Sequence, residues 1–192
     1  SMPELPEAKR QRYISTFDQS PDVADLLTAS RDKAEFFDRS AGAAMQIVAV
    51  FPRAYQDLAS TINGELAGLL NEAGLEFSKS HITPEELVKL RARVLDGSIS
   101  NKAAKEVLDE MWKGGNDPDA IIEKRGLKQI SDSGELERIC SEVLAANPSQ
   151  VADYRSGKEK AFNSLVGQAM KLSKGKANPQ QVNEILKRKL SG

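Results

Sequence analysis

Residues 154–190, YRSGKEKAFNSLVGQAMKLSKGKANPQQVNEILKRKL, hold two helical patterns joined by a glycine-lysine hinge, and the reading of the whole chain starts from them. Phe162, Leu165, Val166, Ala169 and Met170 recur at i, i+3, i+4, i+7 and i+8, so a helix starting near Gly157 must bury that face. At about 100° per residue, Lys160, Ser164, Gly167, Lys171 and Lys174 fall on a narrow stripe on the opposite side. A glycine inside a helix costs roughly 1 kcal/mol against alanine, so Gly167 on a basic stripe points to a close approach to the backbone there. Lys174-Gly175-Lys176 then supplies a glycine where the chain leaves the helix with positive φ. Asn178 can cap the next helix with Pro179 at its first position, and Val182, Ile185, Leu186 and Leu190 make its buried stripe. Lys187, Arg188 and Lys189 lie in its last turn, where cations suit the macrodipole. Taken singly, each of these lysines is equally accounted for as solvated helix surface.

Upstream, the same period recurs. Pro3-Glu4-Leu5-Pro6, followed by Lys9, Arg10 and Arg12, reads as an extended arm or linker over residues 1–19, because two close prolines exclude a regular helix. Ser20-Pro21 opens a helix to about Arg39, which Gly42 interrupts. The apolar run 43–50 fits a buried helix or a strand, and its helical neighbours favour helix. Tyr55, Leu58, Ile62, Leu66, Leu69 and Leu70 trace one face of a long helix ending near Gly74. Thr83-Pro84-Glu85-Glu86 combines a cap, an N1 proline and a capping-box glutamate. Ser100 starts a helix burying Ala104, Val107, Leu108, Met111 and Trp112, stopped by Gly114-Gly115, and Asp117-Pro118 opens a short one to Gly126. Residues 127–133 are polar and aperiodic and mark the boundary; beyond it Leu136, Ile139, Cys140, Val143 and Leu144 form another stripe up to Asn147-Pro148. No segment shows strand alternation with hairpin turns. The expected fold is all-α: a multihelical body over residues 20–129, then a small tail domain of three or four helices over 130–192.

The chain has 192 residues, 40% apolar and 29% charged, enough for one or two domains with a core. From Asn147 onward nine basic residues stand against three acidic ones, net +6, while the preceding part has 18 against 25, net −7. A basic tail on an acidic body is a footprint of nucleic-acid binding. Aromatics are 5%, leaving few stacking platforms for single strands. One cysteine and one histidine exclude a disulfide framework and a His/Cys zinc site within the chain. A reducing, cytoplasmic setting fits, and no apolar run approaches a membrane span or a signal peptide. Ser1 before Met2 has the look of a cloning remnant, so the chain is expected to be a fragment.

Catalysis has little to stand on. Cys140 lies on an apolar stripe as an inert thiol, and His81 is a loop residue without a histidine or cysteine partner. No glycine spacing matches a phosphate loop, and Glu85-Glu86 and Asp109-Glu110 are adjacent pairs on different azimuths. Binding is better served. The stripe of Lys160, Gly167, Lys171 and Lys174, the turn Lys174-Gly175-Lys176 and the amides near Gly157-Lys158 suit phosphates. Such contacts position a backbone without reading bases, which suits a folded RNA recognised by shape.

The motif Tyr154-x-x-Gly157-Lys158-x-Lys160-Ala161, Leu165-Val166-Gly167-Gln168-x-Met170-Lys171, Lys174-Gly175-Lys176-Ala177-Asn178-Pro179 resembles the GatB/YqeY tail domain of the aspartyl/glutamyl-tRNA amidotransferases, found in their GatB subunit. Ser100-Asn101-Lys102-Ala103-Ala104-Lys105 and Met2-Pro3-Glu4-Leu5-Pro6 with Arg12-Tyr13 extend the likeness over essentially the whole chain. The resemblance implies a heterotrimeric ligase that amidates glutamate on tRNA(Gln) or aspartate on tRNA(Asn), using glutamine, ATP and magnesium. It implies that the GatB subunit carries that chemistry in an N-terminal cradle domain that this chain lacks, so that no cofactor is expected here, with the A and C subunits as partners of the full-length protein. What is left would be the helical and tail domains, which grip the tRNA body, with Gly157, Lys158, Lys160, Gly167, Lys171, Lys174, Gly175 and Lys176 on the family's motif. Asn163 and Ser164 depart from the pattern, standing where a glycine and an aromatic are common in relatives, so the contact made by that part of the helix does not carry over. The competing expectation is a helical interaction module docking on partner subunits, with a basic tail that only solubilises.

Overall fold

A computed structural model describes residues 3–114, 117–130 and 133–192. The chain is all-α. Among the described residues the only β pairing is an isolated parallel bridge between Ile130 and Ala177. The helices are α1 (Pro6–Phe17), α2 (Pro21–Leu27), α3 (Arg31–Ala43), α4 (Met45–Val50), α5 (Ala54–Thr61), α6 (Ala67–Ala73), α7 (Pro84–Leu95), α8 (Asn101–Trp112), α9 (Pro118–Arg125), α10 (Ser133–Ala146), α11 (Pro148–Arg155), α12 (Glu159–Leu172) and α13 (Pro179–Ser191). They fall into two compact units, Ser1–Asp96 with Asn101–Arg125, and Gly97–Ser100 with Gly126–Gly192.

In the first unit α3 packs on α5 and α7, and α8 on α7 and α9. The buried side chains are those that the helical period selects, including Leu58, Ile62, Leu66, Leu87, Leu90, Val107 and Met111. The opening segment is not an extended arm. Pro6 occupies the first helical position, where its missing N–H costs nothing, and α1 runs on from it to bury Tyr13 completely. The Tyr13 hydroxyl donates to the Ala34 carbonyl at 3.0 Å, and Arg12 bridges Glu4 and Asp38.

The expected helix from Ser20 to Arg39 is two helices, because Ser30 turns the chain out of α2 and caps α3 by accepting from Lys33 N. Gly42 lies inside α3, a tolerable cost of about 1 kcal/mol. The run 43–50 is helical from Met45, yet none of α4 is buried, and Met45 and Val50 are each 69% exposed. Between α5 and α6 a π-helical turn spans Ile62–Leu66. Leu58, Ile62, Leu66 and Leu70 recur every fourth residue, a spacing that drifts round an α-helix by roughly 40° per step. The wider i→i+5 turn absorbs the drift and keeps all four buried. The capping box at Thr83 forms as its residues dictate. Trp112 is half-buried rather than in the core, and Gly115, expected with Gly114 to stop α8, lies outside the described residues.

The second unit is the tail. α10, α12 and α13 pack around Leu136, Ile139, Cys140, Val143, Leu165, Ala169, Val182, Ile185, Leu186 and Leu190, and α11 packs on α12. Asn147 does not cap α11: its Nδ2 donates back to the Val143 carbonyl at 2.8 Å and closes α10. The Cys140 thiol is fully buried and burial pushes its pKa up, which suits an inert core cysteine.

Candidate nucleic-acid interface

α12 presents its apolar face inward as the periodicity requires, with Leu165 and Ala169 buried and Phe162, Val166 and Met170 half-buried. Its outer face carries Lys160, Gly167 and Lys171, all exposed, and continues past the helix end to Lys174. A Cβ built on Gly167 meets no atom within 4 Å, so nothing in the protein approaches that glycine and its open backbone faces outward. At 1.5 Å per residue, Lys160 and Lys171 stand about 16 Å apart along the axis. No single phosphate reaches both.

The turn after α12 is a built structure. Lys174 N donates to Lys171 O at 3.0 Å and Gly175 N to Met170 O at 2.8 Å, the paired bonds of a Schellman termination. In that motif the left-handed residue is usually glycine. Here it is Lys174, at φ +55°, followed by Gly175 at +75°. A left-handed non-glycine residue costs roughly 1–2 kcal/mol, so the turn holds a lysine where the backbone disfavours one.

Further bonds hold the turn, beginning with Lys176 N, which donates to Ser173 O at 3.1 Å. Ser173, 5% exposed, donates its hydroxyl to Met170 O at 2.9 Å and accepts from Ala177 N at 3.2 Å. Ile130 N donates to Lys176 O at 2.7 Å, while Gln129 N donates to Ser98 O at 2.6 Å, so the aperiodic segment after α9 clamps the turn from below. The Lys176 ammonium lies 3.6 Å from where a Cβ on Gly126 would sit. The Asn178 side chain accepts from Gln180 N and Gln181 N and starts α13 directly afterward.

The other end of α12 is different. Gly157, at φ +98°, donates its amide to Tyr154 O at 2.9 Å, and Lys158 donates its own to Asp153 O at 3.0 Å. Those two amides are consumed within the turn and offer no phosphate cradle, which corrects the reading of that helix start. The Lys158 ammonium also pairs with Asp153 at 3.1 Å. Among the described residues Lys160, Lys171, Lys174 and Lys176 form no ion pair, so four of the five sequence-selected lysines carry free charge. The last-turn cations of α13 are occupied: Arg188 and Lys189 both pair with Glu137, and Lys187 lies over the Phe162 ring, 5.8 Å from its centroid. Ser173 and the Ile130 clamp have no signal in the sequence, since neither is charged, periodic or at a motif position.

A family model for the GatB domain matches residues 46–190. The chain is 48% identical over 192 residues to the B subunit of aspartyl/glutamyl-tRNA(Asn/Gln) amidotransferase from Methylobacillus flagellatus, covering all of this chain and 39% of the relative. It is 50% identical to the corresponding protein of Ralstonia nicotianae, across 99% of this chain and 38% of the relative, and 46% identical to that of Alkalilimnicola ehrlichii, across 99% and 38%. The chain thus spans about two fifths of the length of these curated relatives, their C-terminal part. With a family model spanning well over half of it, the chain belongs to the GatB domain family.

Proposed function

We propose that this chain is the noncatalytic, tRNA-gripping part of an amidotransferase GatB subunit, and that it holds the body of tRNA(Gln) or tRNA(Asn) while the remainder of a longer protein amidates the attached glutamate or aspartate. ATP and magnesium would belong to that remainder, and the A and C subunits would assemble on it. The observation that carries the reading is the turn 174–176, in which a left-handed lysine, a glycine and a second lysine are pinned by backbone bonds at the end of an open basic stripe. Backbone strain that the surroundings hold in place marks functional segments. Four free lysines neutralise about four phosphates, which without base readout places binding near the nonspecific range of roughly 10⁻⁴ to 10⁻⁶ M.

The test is binding of folded tRNA(Gln) across a salt series. Each phosphate contact contributes about −0.7 to −0.9 to the slope of log K against log salt. The Lys160→Ala, Lys171→Ala, Lys174→Ala triple variant should therefore flatten the slope by about 2 to 3. An unchanged slope would remove the stripe from the interface. One observation favours a second role for the first unit: α4 exposes Met45 and Val50. An exposed apolar face of this kind suits a partner protein, and tRNA binding indifferent to the triple variant would shift the function there.

A further inference from the structure

His81, in the bend before α7, and Trp112, at the end of α8, stack with ring centroids 4.4 Å apart and 23° between their planes. His81 Nδ1 lies 3.0 Å from the Trp112 carbonyl oxygen. A carbonyl only accepts, so Nδ1 carries hydrogen and the imidazole plane is locked against the indole by both contacts. His81 is exposed and Trp112 half-buried, and both line an open groove of about 920 Å³ in the first unit.

The charges in that groove decide what it accepts. Its carboxylates are engaged: Glu85 with Arg39, Glu86 with the Thr83 amide in the capping box, and Asp117 with Lys89. Arg39 and Lys89 neutralise two of these three carboxylates, and Glu86, without a cationic partner, is held by the helix start. Lys113, exposed at the groove edge, forms no ion pair among the described residues. A locked flat ring pair with engaged acids and a free cation at its edge fits a neutral planar heterocycle attached to an anion.

We propose that this groove binds an unstacked nucleobase, laid on the His81–Trp112 pair with its phosphate toward Lys113. The proposal rests on the RNA-binding reading above and adds a base contact to an interface otherwise made of phosphate contacts. Base-on-aromatic stacking is tolerant of sequence, so the groove would take any exposed base of a folded RNA.

Trp112 is the only tryptophan in the chain, so intrinsic fluorescence excited at the indole reports this groove alone. The experiment titrates the full chain with adenosine 5′-monophosphate, alongside His81→Ala, His81→Phe and the triple-alanine tail variant. Saturable quenching in the millimolar range is expected. It should weaken about tenfold in His81→Ala, survive in His81→Phe, which keeps a flat ring, and persist unchanged in the tail variant. Quenching linear in nucleotide, or equal in wild type and His81→Ala, would overturn the proposal. So would saturable quenching by N-acetylarginine amide without any by the nucleotide, which would assign the groove to a protein partner's guanidinium. Because the tail variant is scored separately for tRNA binding, failure of the stripe and failure of the groove are read independently.

Discussion

Ser173 is where the basic turn is most vulnerable, although it carries no charge. Its hydroxyl spans the turn from Met170 O to Ala177 N, and Ala177 is fully buried. Ser173→Ala removes the acceptor and leaves the Ala177 amide without a partner away from water, a cost of roughly 1–3 kcal/mol. For a unit of this size each kcal/mol is about 4–8 °C of melting temperature, so a cost near 2 kcal/mol predicts a fall of roughly 8–16 °C in the transition of the tail unit. Hydrogen exchange localises the effect, since the Ala177 amide should lose protection more than amides in the middle of α12. The functional readout differs from that of a charge removal. All the lysines are still present, so the salt slope for tRNA should hold while the affinity falls, because Lys174 and Lys176 are no longer held in place. A melting temperature within about 1 °C of the parent, well below the shift expected for a lost buried bond, with Ala177 exchange unchanged, would refute the latch.

Burial and charge set two further expectations. Leu186→Ala, at a fully buried position in the tail core, should cost roughly 2–5 kcal/mol in urea unfolding, whereas Leu172→Ala, at a residue 49% exposed, should stay within about 0.5 kcal/mol; equal effects would contradict the burial assignment. Asp119 accepts from Arg93 at 2.7 and 3.0 Å, which holds its carboxyl below the ordinary value of 3.8. A carboxyl depressed in the folded state stabilises above the unfolded value and stops doing so as pH falls through the folded one. Asp119→Asn should therefore destabilise at pH 7 by about 1 kcal/mol or less, given the pair's partial exposure, and the gap from the parent should close as pH falls through the carboxyl's depressed folded value; a gap that persists once the carboxyl is protonated would show the loss is not electrostatic.

What is legible in the sequence is what burial controls. Leu165, Ala169, Val182 and Leu186 announce themselves because an inward face repeats every 3.6 residues, and the all-α fold follows from such stripes. Proline misleads where its position relative to the helix start is not fixed: Pro6 begins α1, whereas a proline a turn later would have broken it. The π turn at 62–66 is visible only as a four-residue spacing of leucines and isoleucine, which reads as ordinary helix until the drift is worked out. The helical azimuth of Trp112 points to the core; its half-exposure arises from the stack with His81, 31 residues earlier, a separation that no local pattern encodes.

The candidate interface divides along the same line. Its charges can be read from sequence, since lysines opposite an apolar stripe must face outward. Its backbone cannot. That Lys174 rather than Gly175 takes the first left-handed position, that the amides of Gly157 and Lys158 are already spent, and that Ile130 holds Lys176 O are consequences of where main-chain groups find partners. Surface charge supplies attraction at any geometry, but the free energy of meeting a phosphate backbone depends on how little ordering the lysines still need on binding. The residues that reduce that ordering are Ser173, Ala177 and Ile130, all uncharged. Of these only Ser173 acts through its side chain, so Ser173→Ala, more than loss of a lysine, separates a pre-formed binding turn from a merely basic surface, while Ile130 and Ala177 act through main-chain amides that a side-chain substitution leaves in place.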